Sequence, residues 1–430
     1  MLSTFGSILA LLLGTAFLLT GSGLYGLLLP LRGQLEGFTP AALGLLGTAW
    51  AGGFIAGCLA GPRLVRRVGH VRAFAAFAAT GAIVTLLSGM WIDIPAWLVM
   101  RAFNGFAMAG AFMVIESWLN ERSTNETRGT IFGLYMMVTY IAITAGQMSV
   151  ALGDVSTTIL FMVTGILFCL ALLPTAVSAA ATPAPLADVS LQLRKLYINS
   201  PVAAIGCLLT GAANGAWGSL GPVYGAEIGI STFHIALMMS VPVIAGAAGQ
   251  LPVGRLSDRT DRRFVLASAA FISALIGAAI FVTAPRTGSL VITMTAFYGL
   301  LSYTLYSVAV AHANDHAAPE DFAKVSSGLL LLYGVGTMIG PILAGTAMHL
   351  LRPESVFLVT ALTHLSVAGY AVLRIRARAP VPPDEKEAFT TLPAERAATP
   401  QSAILDPRGE PEETDEEQPE EKGEESEPAH

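Results

Sequence analysis

Gly254-Arg-Leu-Ser-Asp258-Arg259-Thr-Asp-Arg262-Arg263 places six charges within ten residues, between two long apolar runs. The runs cover about 235–253 and 264–282, and each is long enough to cross a hydrocarbon layer of about 30 Å at about 1.5 Å per residue. The charged stretch therefore reads as a short loop joining two membrane helices. The whole chain agrees with that local reading. Of 430 residues, 53% are hydrophobic and 13% charged, with a mean hydropathy of +0.63; this is a polytopic membrane composition and excludes a soluble globular domain.

The net charge of −6 hides a division. Residues 379–430 alone hold sixteen acids against four bases, leaving the rest of the chain about +6. A segment rich in Glu and Pro and nearly free of aromatics cannot bury enough apolar surface to offset its ordering entropy, so a disordered acidic tail is expected over 377–430. Cys58, Cys169 and Cys207 lie in apolar runs and are odd in number, which indicates packing residues and no disulfide framework.

Twelve spans can be laid down at about 6–29, 41–62, 73–92, 95–119, 130–152, 156–177, 201–224, 233–253, 264–284, 288–312, 325–349 and 355–374. The first is too long, and lacks the basic leader, for an ordinary signal peptide. Short cytoplasmic loops collect Lys and Arg. One set of loops holds sixteen of them, from Arg63, Arg66 and Arg67 through Arg262, Arg263 and Arg374, while the other holds Arg32, Arg286 and Arg352. Both termini and the 178–200 connector are therefore expected in the cytoplasm. The halves repeat: Gly23, Gly26 and Pro30 recur 192 residues on as Gly215, Gly218 and Pro222, and Ala102-Phe103 with Gly105 recur 194 on as Ala296-Phe297 with Gly299. Matching Gly146 with Gly345 implies that the offset then grows to 199. The expected domains are a six-helix bundle over 1–177, the connector 178–200, a second bundle over 201–376, and the tail.

The charged loop resembles the Gly-x-Leu-Ser/Ala-Asp-Arg-x-Gly-Arg-Arg signature of the major facilitator superfamily, with Asp261 in place of the second glycine. Arg101-Ala-Phe-Asn104-Gly105 resembles that family's Arg-x-x-Gln-Gly element, and Gly336-Thr-Met-Ile-Gly340-Pro341 its Gly-x-x-x-Gly-Pro element, although in antiporters the latter lies in the fifth span. Glu116-Ser-Trp-Leu119, Arg128-Gly129 and Gly146-Gln147 look most like an uncharacterised YcaD-like bacterial branch that brings no substrate with it. The resemblance covers about 1–376. It implies an all-α fold of two pseudo-symmetric six-helix bundles in the bacterial inner membrane, and alternating access for a small organic solute, with protons as the default coupling ion.

Arg101, Gly105, Met108, Phe112 and Glu116 share one helix face. Arg101 either reaches lipid phosphate at the outer interface or lines the cavity. Glu116, about 22 Å further along, is expected near the cytoplasmic face, pairing with Arg66 or Arg67 or carrying a proton. Tyr25, Tyr140, Gln147, Asn214, Trp217, Tyr303 and Tyr306 lie in spans that line the cavity in the family or pack beside it. Together with Asn104 they suggest an aromatic, mostly neutral pocket with one cation, suited to an amphipathic or singly anionic molecule; export is favoured over uptake. Gly254, Asp258, Arg259, Arg262 and Arg263 are gating candidates, with Arg259 or Arg263 pairing with Asp315. In the first half Gly69 keeps its place but Arg66 stands at the acid's position. His312 and His316 are four apart, but no third ligand accompanies them and no metal is expected. No nucleotide loop, zinc-peptidase motif or nucleophile motif appears, so neither an enzyme, a cofactor nor a nucleic-acid partner is expected; a monomer is. The competing class is a transporter-shaped receptor or scaffold acting through its tail.

Overall fold

With no water to bond backbone N–H and C=O groups, a chain this apolar satisfies them inside helices. Among the described residues all regular structure is helical. The computed structural model describes residues 2–124, 127–177, 193–318 and 321–377, together with 379, 381, 382, 386, 389, 390, 399 and 400. Most of the connector and the acidic run beyond 400 lie outside the described residues.

The helices are α1 (Leu2–Leu35), α2 (Pro40–Val68), α3 (His70–Met90), α4 (Ile94–Glu121), α5 (Arg128–Ser149), α6 (Ile159–Leu170), α7 (Leu172–Val177) and α8 (Leu193–Asn199). They continue as α9 (Pro201–Glu227), α10 (Thr232–Arg259), α11 (Arg262–Thr283), α12 (Gly288–Ser302), α13 (Leu305–Asn314), α14 (Phe322–Leu350) and α15 (Ser355–Ile375). Local sequence explains several starts. Thr39 accepts from the Ala42 N–H at 3.3 Å with Pro40 in the first turn, and Asp93 accepts from the Ala96 N–H at 3.1 Å, each supplying a partner to a free donor of the first turn. Gly69, at φ 85°, turns the chain between α2 and α3 in a region that side chains disfavour.

Among the described residues ten helices are long and apolar enough to cross a membrane, or eleven if α8 and α9, bent by 112°, count as one. Where the sixth span is expected there is only a shorter apolar stretch, Ile159–Pro174, and the tenth, Gly288–Asn314, is interrupted by a turn between α12 and α13. Large apolar side chains such as Leu9, Met90, Leu251, Phe264 and Val282 are exposed, as lipid-facing residues must be.

The repeat is visible in how helices touch. A Cβ on Gly23 would meet the Ile143 carbonyl oxygen at 2.5 Å, and one on Gly215 would meet the Thr337 Cα at 2.7 Å. Gly105 faces the Trp50 carbonyl as Gly299 faces that of Pro242, Gly57 faces the Phe106 carbonyl as Gly249 faces that of Leu300, and Gly146 faces the Thr20 carbonyl as Gly340 faces that of Ala212. The second members lie 192 residues on in the first two helices of each half and 194 on in the fourth and fifth. The expected growth of the offset to 199 is therefore wrong: Gly146 corresponds to Gly340, and α5 and α14 begin at Arg128 and Phe322, 194 residues apart.

The halves meet most extensively along α2 with α14, and also along α5 with α10, α1 with α9 and α2 with α9. Gly44 packs on the Pro341 carbonyl, Gly345 on Pro40 and Ala41, and Gly334 on Ile55, while Thr48 Oγ1 donates to the Met338 carbonyl at 2.7 Å. All these first-half contacts fall between residues 40 and 55, at the end of α2 away from Arg66 and Arg67; beyond them Gly57 and Gly61 turn to Ala109 and Met113 of α4. The halves thus clasp one another away from the basic loops.

Candidate functional site

A cavity of about 80 Å³ lies between the halves. From the first half it is lined by Leu19, Ser22, Gly23, Gly26 and Leu27 of α1, Trp50 of α2, Arg101 and Phe112 of α4, and Ile143 and Gln147 of α5. The second half contributes Asn214 and Gly218 of α9, Met239 of α10, Tyr303 between α12 and α13, and Tyr333 and Thr337 of α14. Gly23, Gly26 and Gly218 belong to the repeated ladder read from the sequence. A Cβ on Gly26 would meet nothing within 4 Å, so α1 leaves open space there, while Gly23 brings α1 close against α5.

Arg101 is 5% exposed and lies in this cavity rather than at a lipid interface. Its guanidinium carbon stands 5.2 Å from the centre of the Tyr25 ring, within range of cation–π attraction. Tyr25 is held by a 2.8 Å hydrogen bond between its hydroxyl and Ser88 Oγ and by edge-on packing against Phe161. It therefore sits behind Arg101 as a support. Asn104, one turn on from Arg101, accepts from Trp50 Nε1 at 3.0 Å and so orients a cavity wall without lining it.

Gln147 Oε1 accepts from Ser240 Oγ at 2.9 Å and joins α5 to α10 beside the cavity. Asn214 Nδ2 donates to the Tyr333 hydroxyl at 3.1 Å, while its buried Oδ1 has no hydrogen-bond partner. Tyr333 in turn packs on Tyr306, with ring centres 5.0 Å apart. Among the described residues that line the cavity, Arg101 is the charged side chain.

Of the residues singled out in the sequence, the cavity gathers Arg101, Gln147, Asn214 and Tyr303. Trp217 does not belong there: it is fully buried against Tyr298 and Phe357 inside the second half. Tyr306 sits behind Tyr333, and Tyr140 lines a separate groove between α5 and α10. Glu116 is fully buried; the Tyr135 hydroxyl donates to it at 3.2 Å, and Thr399 Oγ1 donates to its other oxygen. Sequence reasoning missed Trp50, Met239, Tyr333 and Thr337. Thr337 lies inside the quoted Gly336 to Pro341 element, and Tyr333 is one turn before it, so the helical period could have found both.

The charged loop is also rearranged relative to expectation. Arg262, not Arg259 or Arg263, pairs with Asp315: Nε–Oδ2 is 2.6 Å and Nη2–Oδ1 is 3.2 Å, both side chains 1% exposed. The reason is position, since Arg262 opens α11 and points into the second half, whereas Arg259 ends α10 exposed. Arg262 also donates to Ser257 Oγ at 3.1 Å and Asp258 Oδ1 at 3.0 Å. Arg263 donates to Asp261 and to the Arg374 carbonyl. Burial alone would raise the Asp261 carboxyl, but the hydrogen bonds and charge of Arg263 outweigh it and hold the group below its usual range. In the first half Arg66 is exposed. His316 Nδ1 is 2.9 Å from the His312 carbonyl oxygen, and among the described residues no group of three or more potential ligands could hold a metal.

The family model of the Major Facilitator Superfamily matches residues 11–305 and 202–411. The chain is 30% identical over 376 residues to an uncharacterized MFS-type transporter, YcaD, of Shigella flexneri serotype 5b, covering 84% of this chain and 94% of that one. It is 31% identical over 375 residues to the YcaD protein of Escherichia coli O7:K1, with the same coverage. Among solved structures it is similar to the nucleoside transporter NupG, with a TM-score of 0.73 at 16% identity over 88% of this chain and 100% of that one. It is also similar to a bacterial homolog of the human lysosomal transporter Spinster in an inward-facing, occupied conformation, with a TM-score of 0.68 at 16% identity over 89% and 98% of the two chains. The family match, the curated relatives and the helical fold agree, and the chain belongs to the major facilitator superfamily.

Proposed function

We propose that this secondary transporter moves a small, singly anionic organic solute through the cavity around Arg101 by alternating access. Arg101 carries the reading. Its guanidinium, backed by the Tyr25 ring, carries the positive charge of the described cavity lining and so presents a cation to an anionic group of a solute. Trp50, Phe112, Tyr303 and Tyr333 supply apolar flanks, and the Asn214 Oδ1 offers an acceptor to a hydroxyl or amine of the solute. At about 80 Å³ the cavity is well below the roughly 300–1,000 Å³ of ordinary ligand pockets. A solute can therefore enter only when the halves part, which is what alternating access provides.

The architecture that goes with this is twelve spans in two pseudo-symmetric six-helix bundles in a bacterial inner membrane, termini and connector on the cytoplasmic side. The excess of Lys and Arg in one set of loops supports the orientation. Proton coupling is the default carried over from the family, and the aromatic, largely apolar lining favours export. The YcaD relatives are uncharacterised and bring no substrate with them.

The test is a thermal-shift screen of the purified protein against small organic acids and neutral analogues, repeated with Arg101→Ala and Arg101→Lys. An acid that stabilises the natural protein, loses its effect in Arg101→Ala and keeps part of it in Arg101→Lys supports the reading. Equal stabilisation of all three by every ligand found defeats it.

A further inference from the structure

At the basic end the α5–α10 pair is not clasped as it is beside the central cavity. The two helices flank a groove of about 940 Å³, with Phe132, Gly133 and Met136 on one side and Ile244 and Ala247 on the other. Phe389 and Thr390, which follow the last helix by more than a dozen residues, line the same groove. We infer that Lys386, Phe389 and Thr399 dock across the cleft between the halves at this end as built-in occupants, and that their docking holds the cleft open there.

Each anchor has a chemical reason. The last carbonyls of a helix lack intrahelical donors and carry its negative dipole end. Lys386 Nζ meets that end of α10, donating to the Thr260 carbonyl and lying 3.5 Å from the carbonyls of Ser257 and Asp258. The Phe389 N–H donates to Asp258 Oδ1 at 3.1 Å, the same oxygen that accepts from Arg262. Its ring lies over Gly254, where a Cβ would come within 2.9 Å of the ring. The glycine and aspartate of the charged loop thus form a seat for an aromatic residue of the same chain. Thr399, fully buried, donates to the buried Glu116 of α4.

The anchors therefore fall on both halves: Lys386 and Phe389 on α10, Thr399 on α4. For α5 and α10 to close at this end, as Gln147 and Ser240 join them beside the cavity, Phe389 has to leave the groove. The docked segment opposes that closure, and a state it favours gains population by the free energy of docking. The consequence for accessibility rests on the alternating-access reading; the docking does not.

Two measurements on the full chain in membranes test it, with Cys58, Cys169 and Cys207 replaced by serine. In the first, Gly254→Cys is combined with Phe389→Cys and a mild oxidant is added; a Cβ at 254 would lie 2.9 Å from Phe389 Cγ, which brings the two positions near the reach of a disulfide, whose Cβ atoms lie roughly 3.5–4.5 Å apart. A crosslink well above that of Gly254→Cys with Ser426→Cys is expected, and none above it overturns the docking. In the second, Thr48→Cys, at the clasped end of α2, is labelled with an impermeant maleimide. Phe389→Asp, or independently Lys386→Glu, should speed labelling about tenfold if docking biases the equilibrium by one decade; an unchanged rate with both overturns the holding role. A crosslink that forms in a protein binding no solute would defeat the transporter reading alone, and solute binding without a crosslink would defeat the docking alone.

Discussion

Replacing Asp315 by Asn tests whether the charged loop stabilises the second half from within. In the structure Asp315 holds Arg262 through two hydrogen bonds, and each side chain is 1% exposed. Removing one partner of a buried ion pair strands the other and costs about 3–5 kcal/mol. Asp258 remains 3.0 Å from Arg262 but is 40% exposed, so its compensation is modest and the expected loss lies near the lower bound, about 3 kcal/mol. At about 2.1 cal/mol/K of unfolding entropy per residue over the 370 or so residues of the helical part, that is a fall of about 4 °C in Tm, read by dye-monitored unfolding in detergent. Arg262→Met with Asp315→Leu, which removes both charges and keeps volume, should recover most of the loss. A shift under about 1 °C for Asp315→Asn, or a double variant no more stable than the single one, would refute the reasoning.

Two further outcomes follow from the geometry. Gly23→Val puts carbon where the Ile143 carbonyl oxygen would be 2.5 Å from its Cβ, so α1 and α5 must separate; overpacking of this kind costs about 1–3 kcal/mol, and Gly23→Val should lose folded yield on size exclusion where Gly26→Ala, with nothing within 4 Å of its Cβ, does not. The Asp321 carboxyl accepts from Lys195 at 2.7 Å and Lys324 at 2.9 Å, and these bonds hold it below the usual value of 3.8. With the folded value depressed, the link between α8 and α14 is complete above that value and lost as the pH falls through the lower, folded one. Amide exchange over Leu193–Asn199, corrected for intrinsic rate, should therefore stay flat above about pH 4 and rise below it, and Asp321→Asn should show the raised level at every pH.

Much of the fold was legible because lipid simplifies the code. A charged loop between two apolar runs fixes a pair of helices, and the glycine ladder in α1 recurs in α9 because close helix contacts repeat in both halves. The error in the offset has a physical cause. Gly345 does lie in a contact, but with Pro40 and Ala41 of the other half, while Gly146 packs on α1 of its own. A glycine reports that something comes close, not what. Likewise an acidic composition suggested that nothing beyond 377 would order, yet Lys386, Phe389 and Thr399 rest on the helices. These three residues depart from the composition of their surroundings: an amine, an aromatic ring and a hydroxyl that can meet, respectively, a helix C-terminus, a glycine and a buried acid.

The cavity was half legible for a reason that concerns helix phase. On α4 one face carried both a charge and glycine, so the sequence could orient it, and Arg101 and Phe112 indeed share the cavity wall. On α9, Asn214 and Trp217 are three apart and so neighbours on the surface, but the helix is buried nearly all round. Polarity then has no lipid side to contrast with, and only contact with the partner helix decides which residue looks inward: Asn214 meets Tyr333 of α14 while Trp217 meets Phe357 of α15. Neutral aromatic residues on fully buried helices can be placed from sequence only through a polar neighbour one turn away. Thr337 and Tyr333 satisfy that condition, which is why the second half's wall could have been read from α14 more safely than from α9.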